Sequence, residues 1–188
     1  MRKILVLAVV TLLGMTATNA QVKFGFGFGY AVPSGDIADI TDGGLSAHLE
    51  LGYGVTENID VSILWQGDFL TGADVQINDI QSSVSYGAVA LGSFLVNGRY
   101  FFTDTKFKPY GSLGLGLATI GSIEIESNIT TVQGNVGSTS NFAFRPAVGF
   151  KYGVLNMNAA YLNAGKVGDT SISDFTVNIG LLFTFGGQ

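Results

Sequence analysis

The stretch DFTVNIGLLFTFGGQ, residues 174–188, alternates with period two through most of its length. Phe175, Val177, Ile179, Leu181, Phe183 and Phe185 share one parity; Thr176, Asn178, Gly180, Leu182 and Thr184 share the other. Side chains along a strand point alternately to opposite faces, so this segment predicts a strand with one apolar wall and one mostly small or polar wall. Seven further segments precede it. VKFGFGFGY sets Val22, Phe24, Phe26, Phe28 and Tyr30 against Lys23, Gly25, Gly27 and Gly29. LSAHLELGYGV sets Leu45, Ala47, Leu49, Leu51, Tyr53 and Val55 against Ser46, His48, Glu50, Gly52 and Gly54. IDVSILWQ opposes Ile59, Val61, Ile63 and Trp65 to Asp60, Ser62, Leu64 and Gln66. The fourth segment alternates cleanly only late, with Phe94, Val96, Tyr100 and Phe102 opposite Leu95, Asn97, Arg99 and Phe101. YGSLGLGLATI, FAFRPAVGFKY and LNMNAAYLN supply the next three, and Pro146 in the sixth predicts a bulge, because proline removes a ladder hydrogen bond.

What meets the apolar wall decides the architecture, and three features favour lipid. The opposite face carries glycines and charges, which suit the narrow interior of an eight-stranded barrel and not the outside of a soluble one. Aromatic residues sort to two levels once strand directions alternate. Tyr30, Trp65, Tyr86, Phe142, Phe144, Tyr161 and Phe175 fall toward one rim, and Phe24, Tyr53, Tyr100, Phe102, Tyr110, Tyr152, Phe183 and Phe185 toward the other. Long and short connections also alternate, as external loops and periplasmic turns do in an outer-membrane barrel. The predicted fold is all-β: an eight-stranded antiparallel up-and-down transmembrane β-barrel. The β-branched content of the third long connection, residues 121–140, predicts a hairpin reaching beyond the membrane.

The first twenty residues, MRKILVLAVVTLLGMTATNA, have a positive start at Arg2 and Lys3, an apolar run from Ile4 to Leu13 and the small-residue end Thr18-Asn19-Ala20. That pattern predicts a cleaved signal peptide over residues 1–20 and a barrel domain over 21–188. Removing Arg2 and Lys3 takes the formal charge from −5 to −7. An acidic exported chain argues against nucleic acid as a partner, since phosphate recognition relies on basic patches. The chain has no cysteine, so disulfides, thiolate metal sites and cysteine nucleophiles are excluded. Only 12% of residues are charged while 47% are hydrophobic, yet beyond residue 20 no apolar run is long enough for a membrane helix.

The chain resembles the small bacterial outer-membrane β-barrels of the OmpA/OmpX-like kind, over essentially all of residues 21–188. The most specific piece is the last strand, Asn178-Ile-Gly180-Leu-Leu-Phe183-Thr-Phe185. It matches the family's terminal signal of polar, any, Gly, two of any kind, aromatic, any, aromatic. The resemblance implies that the barrel-assembly machinery reads Asn178, Gly180, Phe183 and Phe185, and that outer-membrane lipids surround the barrel. Many members end on the final aromatic; here Gly186, Gly187 and Gln188 follow. VKFGFGFGY and KPYGSLGLGL are similar in style to barrels of the Bacteroidetes group.

The inward parity carries Lys23, His48, Glu50, Asp60, Arg99, Arg145 and Lys151. Leaving one member of a buried ion pair alone costs roughly 3–5 kcal/mol, so these groups are expected to form a linked charge network that plugs the lumen. Arg145 sits apart from the acids, and four bases against two acids would favour anions if the barrel conducted. Ser46, His48 and Glu50 superficially suggest a hydrolase triad. Inward neighbours on one strand are spaced ~6.5–7 Å apart, beyond the reach that nucleophile and base require, so an interior histidine is the reading and no enzyme is expected. The four long connections hold Asp36, Asp39, Asp42, Asp68, Asp74, Asp79, Glu124, Glu126, Asp169 and Asp174 against Lys166 alone. Divalent cations at these acidic loops are a possible partner. DIADITD lacks the spacing of an EF-hand loop, and neither a defined metal site nor a cofactor is assigned. The expected function is structural, with surface contact through acidic external loops. The alternative is a narrow pore or small-solute transporter gated by the interior charges.

Overall fold

The structure is a computed structural model that describes residues 21–72, 74–77, 82–86, 88–121, 125–127, 130–132 and 139–186. The expected signal peptide, Asp79 and Glu124 lie outside the described residues. Eight long strands, β1 (Gln21–Ser34), β2 (Thr41–Gly54), β3 (Ile59–Gly72), β6 (Val89–Phe101), β7 (Phe107–Ile120), β10 (Thr139–Tyr152), β11 (Leu155–Val167) and β12 (Thr170–Phe185), close into one barrel. Between them lie four short strands, β4 (Asp74–Ile77), β5 (Ser82–Tyr86), β8 (Ile125–Ser127) and β9 (Thr130–Val132). Barrel neighbours follow chain order and pair antiparallel, and β1 returns to β12 from Val22↔Phe185 to Ser34↔Ser173. Strands of 13 to 16 residues exceed the ~9–11 that a tilted strand needs to cross a bilayer, so both ends project past the hydrocarbon. The short strands form a second sheet in the order β4-β5-β8-β9, which joins the second long connection to the third.

Alternation dictates the two surfaces. Leu45, Phe28 and Val148 are 70%, 67% and 66% exposed on the outside, with apolar neighbours above and below on each strand. A continuous apolar exterior of this kind is stable against lipid and not against water. Rings gather at both ends of this surface: Tyr161 lies 4.8 Å from Phe175, and Tyr100 lies 5.6 Å from Phe102. Tyr110 departs from expectation. It belongs to the inward parity of β7, is 2% exposed, and packs edge-on to Phe101 at 5.5 Å inside the barrel. The side chain of Tyr86 lies outside the described residues.

Pro146 introduces no bulge. Its strand holds one register with β7 on one side, and on the other side pairing with β11 resumes in the same register after Phe144↔Asn163. The missing N–H therefore removes a ladder bond without inserting a residue. Irregularities occur instead between Asp42 and Gly44 and between Asn163 and Lys166, where Gly165 takes φ +79°.

Half of the interior is apolar, contrary to the expectation of a lumen of glycines and charges. Leu70, Leu91, Ile120, Leu162 and Ile172 pack together at the end that carries the long connections. The first connection closes over them as a single 3₁₀ turn, Gly35–Asp39, whose Ile37 is 1% exposed and joins this cluster. Asp36 fastens the turn, since its carboxylate accepts from the backbone N–H and the hydroxyl of Ser171, each at 2.8 Å. These bonds, the backbone one foremost, hold the Asp36 carboxyl below its ordinary 3.8. A depressed carboxyl contributes its tether above the ordinary value and loses it as pH falls through the folded one. The Ser171 amide resonance is accordingly expected to shift on acidification below 3.8 in the wild type and to stay put in Asp36→Asn.

Candidate functional site

The polar half of the lumen lies toward the short turns, and its layout follows from the pairing register. Asp60 and Arg99 are direct cross-strand partners on β3 and β6. Glu50 on β2 faces the glycine of the Gly25↔Glu50 pair on β1, which leaves its carboxylate room to turn inward. Arg99 Nη2 donates to Glu50 Oε2 at 2.6 Å, and its Nη1 lies 3.8 Å from Asp60 Oδ2. Ser62 Oγ donates to the other Glu50 oxygen at 2.5 Å and accepts from Asn97 Nδ2 at 3.3 Å. Lys23 completes the cluster by an ion pair to Asp60 Oδ1. It reaches across β2 at the level of Gly54, where a Cβ would come 3.6 Å from the lysine Cε. The Arg99 guanidinium lies over the ring of Tyr110 at 4.7 Å, with Phe101 at 5.9 Å. Cations on aromatic faces away from water gain more than at a surface, so the two rings hold the arginine while they fill the bore.

Arg145 belongs to a different cluster. Its Nε donates to Gln66 Oε1 at 2.6 Å and its Nη2 to Asn158 Oδ1 at 3.1 Å; among the described residues no carboxylate forms an ion pair with it. Gln66 passes the interaction on, donating to Asp68 Oδ2 at 2.8 Å. Asp68 and Asp174, read from sequence as loop acids, lie inside the barrel with no exposure. The cause is strand length: β3 runs on to Gly72 and β12 begins at Thr170, so both acids extend the inward parity. Neither oxygen of Asp174 has a hydrogen-bond partner among the described residues. With these two acids inside, the expected surplus of base disappears from the middle of the lumen.

His48 is buried beside Gly27, where a Cβ would sit 2.5 Å from the imidazole Cε1. Among the described residues its Nδ1 has no hydrogen-bond partner, and Glu50 is committed to Arg99 and Ser62. The three residues form no proton relay. Lys151 stands apart at the short-turn mouth, half-buried, donating to the Thr184 hydroxyl at 2.9 Å. Of the terminal motif, Asn178 faces inward and donates to Thr176 Oγ1 at 3.0 Å, Gly180 faces Gly27 in the closing seam, and Phe183 and Phe185 lie outside at the short-turn end. Among the described residues no three His, Asp or Glu side chains gather where they could hold a metal ion. Asp36, Asp39, Asp42 and Asp169 are exposed at the long-loop end, and the side chains of Asp74 and Glu126 lie outside the described residues.

An apolar exterior around a filled, ion-paired lumen, with long connections at one end only, defines a small transmembrane β-barrel. The fold is that of the OmpA/OmpX-like outer-membrane barrels. Solved structures share it: OprG of Pseudomonas aeruginosa at TM-score 0.56 and 15% identity, covering 88% of this chain and 96% of that one. Neisserial surface protein A follows at 0.52 and 14%, covering 88% and 97%. Ail, the attachment invasion locus protein of Yersinia pestis, stands at 0.51 and 14%, covering 88% and 100%. No protein-family model matches the sequence, and no curated protein does.

Proposed function

We propose that this chain is an integral outer-membrane protein whose barrel is a closed, non-conducting body and whose acidic external end makes contacts at the cell surface. The observation that carries the reading is the sealed lumen. A layer of Leu70, Leu91, Leu162 and Ile172 under Ile37 lies over the ion-paired half, and Phe101 and Tyr110 fill the bore below it. Water or ions crossing the apolar layer would lose hydration there with no polar groups to replace it. The exposed carboxylates of Asp36, Asp39, Asp42 and Asp169 at the long-loop end supply an acidic contact surface without catalysis. Ail, which shares the fold, is named for attachment, so the scaffold is compatible with such a role.

Reconstitution into planar bilayers tests the reading. Recordings at neutral pH are expected to stay at baseline; sustained unitary steps would replace this reading with the narrow pore. Export is part of the same proposal, with cleavage after Ala20 and recognition of Asn178, Gly180, Phe183 and Phe185 by the barrel-assembly machinery. N-terminal sequencing of the outer-membrane form is expected to begin at Gln21.

A further inference from the structure

At the periplasmic mouth two inner-wall charges of like sign stand opposite each other. Lys108 on β7 and Lys151 on β10 are direct partners in the ladder, on the inward parity of both strands. Like charges directly opposite each other on neighbouring strands repel. Among the described residues neither lysine has an ion pair: Lys151 donates to the Thr184 hydroxyl at 2.9 Å, and Lys108 lies over the Phe101 ring at 5.9 Å. Lys23 is already taken by Asp60. The two lysines, Lys23, Thr184 and Phe101 line a cavity of about 510 Å³ together with Glu57 and Asp104 from the short turns.

We propose that this mouth is a binding site for a phosphate-class oxyanion, held between the Lys108 and Lys151 ammonium groups with the Thr184 hydroxyl as a third donor. Two ammonium groups brought together with no ion pair among the described residues are stabilised by an anion that accepts from both, and hydrogen bonds between ionised partners are the strong ones. The floor explains why such an anion stops there. Phe101 and Tyr110 pack edge-on across the bore, and the cations nearest them, Lys23 and Arg99, are already paired with Asp60 and Glu50. The site therefore holds its ligand at the mouth and passes nothing inward. The chemistry fits free phosphate or the phosphate of a phospholipid headgroup in the inner leaflet. The inference rests only on the periplasmic end, so it stands or falls separately from the loop reading.

The test uses the whole folded chain in a maltoside detergent, which brings no phosphate of its own. Inorganic phosphate is titrated at constant ionic strength and followed by ³¹P NMR. Saturable binding is expected in the wild type. Lys108→Ala and Lys151→Ala are each expected to weaken it by about tenfold, the loss of one charge-assisted hydrogen bond, while Lys151→Arg retains it. Heat-modifiability on a gel confirms that each variant is folded. Phosphate should also raise the thermal midpoint of the wild type and not of the alanine variants. Simple relief of repulsion would instead stabilise those variants with or without phosphate. Repeating the titration in phosphatidylglycerol nanodiscs separates the sources: binding that persists identifies a soluble anion, and binding lost there but present in detergent identifies the lipid headgroup. A wild type that shows no saturable response, or alanine variants that bind as well as it does, would overturn the site.

Discussion

Replacing Arg99 with methionine is expected to lower the stability of the barrel by about 3–5 kcal/mol, read as a fall in the urea midpoint for loss of the heat-modified band. The magnitude comes from what the substitution strands. Arg99 is the cation that joins Glu50, at 2.6 Å, to Asp60, at 3.8 Å, and Glu50 and Asp60 are 4% and 1% exposed. Without it, Glu50 keeps only the Ser62 hydroxyl and Asp60 only Lys23. A carboxylate deprived of its cation in a dry interior costs far more than the net worth of the pair, because desolvation is already complete. The same reasoning predicts a rescue. Arg99→Met combined with Glu50→Leu removes both charges, and well-packed apolar replacements of a buried pair are often close to neutral, so most of the loss should return. An Arg99→Met barrel as stable as the wild type would show that the network does not hold the lumen together. Lys151→Ala supplies the contrast: this lysine is half-buried at the mouth, bonded to a hydroxyl and to no acid, and a small change is expected.

Why the lumen chemistry was only partly legible follows from how strands encode it. Parity is local, so Lys23, Glu50, Asp60, Arg99 and Arg145 could be placed on the inner wall from the sequence. Which of them meet is not local. Glu50 and Arg99 lie 49 residues apart, and their encounter depends on the stagger of strands around the closed barrel. Asp68 and Asp174 were hidden for another reason. Each follows or precedes residues with loop composition, Gly67 in one case and Ser171 to Ser173 in the other, and that local signal hid the continuing period. In the folded chain the ladder continues through both sites, because unpaired backbone groups inside a barrel cost more than weak local propensity. The apolar half of the interior was obscured where both parities are apolar, as around Val89 to Leu91, since alternation carries no information there. Tyr110 shows the opposite failing. Its parity points inward, whereas its height along the strand alone places it with the girdle.

Gly180→Ala is expected to prevent the barrel from closing, or to destabilise the closed form by ~3 kcal/mol, the upper part of the range for overpacked sites. Gly180 faces Gly27 across the seam of β12 and β1, where the two ends of the sheet meet. A Cβ on Gly180 would come 2.2 Å from the Phe26 carbonyl oxygen and 2.6 Å from the Gly27 Cα. These obstacles are backbone, so relief requires the ladder itself to part and no side-chain rotation suffices. Gly27→Ala meets a different first obstacle, the His48 imidazole at 2.5 Å, with the Ile179 oxygen at 2.9 Å behind it. His48→Ala should therefore restore part of the stability lost in Gly27→Ala and none of that lost in Gly180→Ala. Because Gly180 also belongs to the terminal motif, folding is measured in lipid vesicles without assembly machinery, where only the seam geometry acts. Gly98→Ala, whose added Cβ meets nothing within 4 Å, is the control and should fold as the wild type does. A Gly180→Ala chain that yields as much heat-modified barrel as Gly98→Ala would mean that the seam tolerates a wider separation than this close approach implies.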